Sequence, residues 1–194
     1  MATCKNDPTE LREKYQHIVF FKTGKHRLKH SISKAIVIGF SLFAMPSAHA
    51  AEGTVTFEVL TPEAALQAAK AALASCRSSG YQVAVAVVDR FGGIQVVLRD
   101  QLAAPRTVDT AVGKARTAAG FRTNTTEMVS LTEEGTPQAG IRNLPGVTVI
   151  GGGMLIEAAG SLVGGIGVSG APGPHLDDAC AQAGIDNIED LLEF

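Results

Sequence analysis

The chain has 194 residues, with 17 Lys or Arg against 19 Asp or Glu and a net charge of −2. The charge is unevenly placed: residues 1–50 hold 8 basic and 3 acidic side chains, a net of +5, and residues 51–194 hold 9 and 16, a net of −7. A C-terminal portion that acidic lacks the cationic footprint of a nucleic-acid binder or of a protein held to anionic lipid, and its length suits one hydrophobic core.

The N-terminal portion reads as an export segment. Lys25, Arg27, Lys29 and Lys34 approach a nearly unbroken apolar run at 35–45, followed by Pro46 and the small-x-small series Ala48, His49, Ala50. That order predicts a cleaved secretory signal peptide. The run is too short for a membrane span, which needs about 20 apolar residues. Cleavage is expected between Ala50 and Ala51, leaving 51–194 as one domain in the periplasm or outside the cell. The long stretch before the basic region predicts a translation start inside it, at Val19 or Leu28. Cleavage removes Cys4, His17, His26, His30 and His49, so Cys76, Cys180 and His175 remain. One imidazole excludes a multi-histidine metal site. Two cysteines in an oxidising compartment suit a disulfide, with two buried free thiols as the alternative.

Residues 51–60 alternate and predict a strand or an ordered arm. Thr61, Pro62 and Glu63 then form a helix start. The helix continues over 64–79 with Ala65, Leu66, Ala69, Ala72, Leu73 and Cys76 on one stripe, and Gly80 ends it. Residues 81–89 and 94–100 are β-rich runs joined by Arg90, Phe91, Gly92 and Gly93, a hairpin pattern. Pro105 opens a second helix to Phe121, with Val108, Ala111, Val112, Ala115, Ala118 and Ala119 inward and Asp109, Lys114, Arg116 and Thr117 off that stripe. A polar segment at 122–135 holds a short helix. Three short strands follow at 147–150, 154–158 and 161–168, joined by glycine turns. Gly164, Gly165 and Gly167 in the last strand predict close approach of another backbone or a ligand. A helix at 175–183 closes at Gly184, and 188–192 adds a final turn. The order predicts an α+β domain whose helices pack on an antiparallel sheet of five strands.

The glycine clusters do not lie between a strand and a helix, so they are turn glycines and not a dinucleotide fingerprint. No Gly-x-Ser-x-Gly elbow occurs, and a hydrolytic triad would depend on His175 alone. Asp177 and Asp178 are read as first-turn carboxylates favourable to the helix dipole. Arg106, Lys114, Arg116 and Arg122, with Thr117, Thr123, Thr125 and Thr126 nearby, form either a surface able to hold carboxylates or a solvated helix face.

Three stretches together carry a resemblance: VAVAVVDRFGGIQVVLRD at 83–100, TAVGKARTAAGFRTNT at 110–125 and GGGMLIEAAGSLVGGIGVSGAPGPHLDDACAQAGID at 151–186. In this order they make the chain similar to the GlcG/HbpS-like family, also described as haem-degrading domains. The resemblance implies a three-layer α/β/α sandwich on a five-stranded antiparallel sheet, assembled into homo-oligomers. It implies non-covalent haem, or a related tetrapyrrole, as ligand in the secreted branch, with links to haem sensing or degradation. It directs attention to the second helix and the segment after it, hence to Lys114, Thr117 and Arg122. The axial ligand to haem iron would come from His175, Met128, Met154, Tyr81 or a cysteine. No Cys-x-x-Cys-His occurs, which excludes covalent attachment. Two rivals stand beside the haem-binding expectation: an enzyme or accessory factor for a small carboxylate metabolite in a periplasmic oxidation pathway, and a ligand-free assembly module. Packing of the first and last helices on one sheet face would bring Cys76 and Cys180 together as a disulfide.

Overall fold

The computed structural model describes residues 53–193. The basic approach, the apolar run at 35–45 and the Ala50–Ala51 junction lie outside them.

An extended arm at 54–60 leads in, anchored by Leu60, which is buried and donates its N–H to Val163 O at 3.3 Å. It is therefore the ordered arm of the two expectations. Thr61 then caps helix α1 (Pro62–Ser78), its Oγ1 accepting Ala64 N–H at 3.2 Å. Ala65, Ala68, Ala69, Ala72, Leu73 and Cys76 are the buried stripe, whereas Leu66 is partly exposed.

Strands β1 (Ala84–Asp89) and β2 (Ile94–Arg99) form the expected hairpin. Its turn is built by Asp89, whose carboxylate accepts the N–H groups of Phe91 and Gly93, each at 2.8 Å. A Cβ on Gly93 would lie 2.5 Å from that carboxylate, so the turn needs glycine there. Helix α2 (Thr107–Phe121), helix α3 (Thr125–Leu131) and a 3₁₀ turn (Ala139–Asn143) follow. Strands β3 (Gly153–Ala158) and β4 (Ser161–Ser169) and helices α4 (Pro174–Asp186) and α5 (Glu189–Leu192) complete the chain.

Among the described residues the sheet has four strands in the order β2-β1-β4-β3, all antiparallel, and not five. The expected strand at 147–150 stays outside the sheet because its place is already filled. Asn124, Thr125 and β3 meet along that edge: Leu155 N–H donates to Asn124 Oδ1 at 3.0 Å, and Gly153 N–H donates to Thr125 Oγ1 at 2.8 Å. The Thr125 hydroxyl in turn donates to Gly153 O at 3.2 Å. Side-chain groups at the start of α3 thus satisfy backbone that an edge strand would leave open.

The two faces of the sheet differ in side-chain size. Val83, Val85, Val87, Ile156, Ile166 and Val168 pack against α1 and α4. Ala84 and Ala86 pack instead against Ala111 of α2, and Val88 against Ala115 and Ala119. With only methyls and hydrogens between them, α2 lies close on the sheet. A Cβ on Gly167 would fall 2.1 Å from Ala111 O, and one on Gly165 2.8 Å from Ala115 O. The glycines of β4 therefore accommodate the backbone of α2, as one of the two expectations held. Gly184 does not close α4 but lies inside it, where a Cβ would meet Ala68 O at 2.7 Å. That contact is the close crossing of α1 and α4. Beside it Cys76 and Cys180 are bonded, their Cα atoms 5.5 Å apart across 104 residues of chain.

Candidate functional site: a cationic cleft beside α2

The close seating of α2 decides which of its polar groups reach solvent. Lys114 and Thr117, expected off the inner stripe, are both buried. Lys114 Nζ donates to Val168 O and to Asp177 Oδ2, each at 2.8 Å. Thr117 Oγ1 accepts Thr148 N–H at 2.9 Å, which holds the 147–150 segment against the helix. Asp177 Oδ1 also accepts Ala171 N–H at 3.0 Å. Burial pushes the Asp177 carboxyl above its ordinary value, an effect partly offset by the Lys114 ammonium. Asp178 accepts Gly152 N–H and the Thr126 hydroxyl, each at 2.5 Å. The two acids are thus ties between α4, α2, α3 and the start of β3, beyond the helix-dipole role expected of them.

Arg116 and Arg122 remain exposed on α2 and at its end. Arg116 Nε donates to Gly92 O at 3.0 Å, joining the helix to the β1–β2 turn. Arg122 adopts the left-handed conformation, φ 52, at the helix C-cap, where its N–H donates to Ala118 O. Glycine ordinarily occupies such a position, and a side chain there carries a conformational cost. From the turn comes Arg90. Its guanidinium carbon stands 4.2 Å from the Phe57 ring centroid and 5.8 Å from that of Phe91, and its Nη1 donates to Glu58 O at 3.2 Å. The two rings meet edge to face with centroids 5.6 Å apart.

Arg90, Phe91, Arg116 and Arg122, with Gly120 and Pro145, line an open cleft of about 620 Å³ that has no acidic lining residue. Three of the nine positive charges in 51–194 converge on it, in a portion of net −7. Such a cleft concentrates anions despite the overall charge. A second groove of about 520 Å³, lined by Val59, Leu60, Val163 and Leu192, carries Glu58 and Glu63 in its wall. It would repel a carboxylate ligand, so the arginine cleft is the candidate site.

Of the residues singled out in the sequence, only Arg116 and Arg122 line this cleft. Arg106 is exposed just before α2 and outside it, and His175 is exposed on the first turn of α4, also outside it. Met128 is buried, Tyr81 and Met154 pack against the α1–α4 core, and Cys76 and Cys180 are bonded to each other. Arg90, Phe57 and Phe91 went unnoticed in the sequence. The available sign was Arg90-Phe91 in a hairpin turn, a place where a buried role for the ring is unusual.

Fold and site together define a class: an α+β domain with an anion-receptive, aromatic-edged cleft on an otherwise acidic surface. Residues 60–186 match the family model described as haem degrading protein HbpS-like, and the chain belongs to that family. A solved double mutant of Streptomyces reticuli HbpS is 38% identical, covering 74% of this chain and 96% of that one, with a TM-score of 0.66. Klebsiella pneumoniae OrfY is 25% identical, covering 72% and 97%, with a TM-score of 0.68. PduOC, solved as a complex with heme, is 28% identical, covering 67% and 95%, with a TM-score of 0.63. No curated protein matches the chain.

Proposed function

We propose that this chain is an exported, homo-oligomeric protein that binds haem or a related tetrapyrrole, in the service of haem sensing or degradation. The observation that carries this reading is the convergence of Arg90, Arg116 and Arg122 beside the Phe91 ring in one cleft. Guanidinium groups bind carboxylates through paired charge-assisted hydrogen bonds and also stack on flat conjugated rings. A tetrapyrrole with propionate arms presents both features. The family description and the relative solved with heme support the same ligand class. Lys114 and Thr117 act from beneath, by seating the helix that carries Arg116 and Arg122.

The arginines also suit a small carboxylate metabolite, the ligand of the rival enzyme or accessory role. Exposed Phe57 and Phe91 favour the macrocycle, because a small polar acid gains nothing from them. Haemin titration of the purified protein tests the reading: a Soret shift at micromolar concentration is expected, and its absence would remove haem as the ligand.

Export rests on the sequence of 1–50, and mass spectrometry of the secreted protein should find Ala51 at its N-terminus. Self-association is supported by β2, an outer strand whose Ile94 and Val97 are 50% and 37% exposed. Exposed apolar side chains on an open strand edge favour pairing with another chain. Val97→Lys should lower the mass seen by light scattering, and a wild-type monomer would refute the assembly.

A further inference from the structure

We infer that the cleft recognises its tetrapyrrole through the carboxylates and the ring face, independently of the central metal, so that iron-free porphyrin binds as tightly as haemin. This rests on the tetrapyrrole reading above. The observations are the chemistry of the lining and the whereabouts of every group able to hold haem iron. Haem proteins take iron through His, Cys, Met or Tyr. Among the described residues, none of these lines the cleft. Cys76 and Cys180 are joined to each other, Met128 is 2% exposed, and Met154 and Tyr81 pack into the opposite layer of the domain. His175 is exposed but begins α4, outside the cleft wall.

What the cleft does offer is three guanidinium groups and an aromatic edge. Two arginines are already oriented from behind: Arg116 by its bond to Gly92 O, Arg90 by Glu58 O and the Phe57 ring. Each keeps further N–H donors for an incoming carboxylate, since guanidinium carries five. Arg122 is held out on a left-handed residue. None of these contacts involves a metal. The substrate class is therefore the dicarboxylate porphyrin ring, loaded or empty, which is what a protein handling tetrapyrroles both before and after iron removal requires.

The test titrates protein recovered from expression of the full chain with haemin, iron-free protoporphyrin IX and protoporphyrin IX dimethyl ester, read by absorbance and by fluorescence. Haemin and the free base should bind with dissociation constants within about threefold of each other, and the ester about tenfold or more weaker, since each charge-assisted pair is lost. Arg116→Ala and Arg122→Ala should weaken both acids by similar factors, whereas His175→Ala should leave both unchanged. If haemin binds but the free base is more than about tenfold weaker, or if His175→Ala abolishes haemin binding, metal-independent recognition is overturned while haem remains the ligand. If neither acid binds, the tetrapyrrole reading itself falls and this inference with it.

Discussion

Lys114 and Asp177 lie 2.8 Å apart across the domain, with side chains 2% and 6% exposed, so a charge pair ties the middle of α2 to the first turn of α4. Two charges taken from water are tolerable only because each is fully partnered: Lys114 has Val168 O, and Asp177 has Ala171 N–H. Removing one partner should therefore cost much more than removing both. Lys114→Met is expected to destabilise by about 3–5 kcal/mol near neutral pH. Adding Asp177→Asn, which keeps an acceptor for Ala171, should restore most of that loss. Urea unfolding of the three proteins would decide it, and a double variant no better than the single would refute the account.

The same pair sets a pH dependence. Asp177 has its folded pKa raised above 3.8 by burial. Between the ordinary and raised values the folded state keeps a proton that the unfolded state has released. The contribution of this group to stability therefore falls as pH rises through that window. In Lys114→Met the ammonium no longer offsets burial, so the window widens upward and the penalty should shrink on mild acidification. A penalty that instead grows in acid would contradict this.

Two glycines of the α2 layer should respond in opposite senses. Gly167→Ala drives a methyl into Ala111 O and is expected to cost about 1–3 kcal/mol. Gly120→Ala, inside α2 with nothing within 4 Å of the new methyl, should stabilise by about 0.5–1 kcal/mol. Thermal unfolding of both separates close packing from a general intolerance of the helix.

The bond between Cys76 and Cys180 closes a long loop, 104 residues apart in sequence. Its removal by Cys76→Ala with Cys180→Ala should cost about 2–5 kcal/mol. Denaturant unfolding with and without reductant should show the same loss in the wild type and no reductant effect in the variant. Equal midpoints in both conditions for the wild type would mean that the bond does not form.

Arg122 pairs an unfavourable backbone with an exposed charge at the cleft. Arg122→Gly should raise stability by up to about 1 kcal/mol while weakening haemin binding. A variant that binds as the wild type does would remove Arg122 from the site.

Most elements were legible because they rest on local rules. Thr61-Pro62-Glu63 announces α1, Gly92-Gly93 announces the hairpin, and the alanines of α2 announce a face that lies close to something. The misreadings are tertiary. Residues 147–150 have strand character, yet Asn124 and Thr125 already satisfy the edge of β3. Gly184 has the look of a helix stop, yet α4 runs through it because α1 crosses at that point.

Sequence by itself determined the acidic domain behind a basic leader, its helix-rich α+β order, the loss of all histidines but one, and the family. Only the tertiary structure decided which cations face a ligand. Periodicity marks Lys114 and Thr117 as outside the apolar stripe, but a helix resting on glycine and alanine sinks far enough to bury its flanks. Arg116 and Arg122 escape that burial, and the hairpin brings Arg90 to them from a strand turn more than twenty residues away, a meeting that no local pattern encodes.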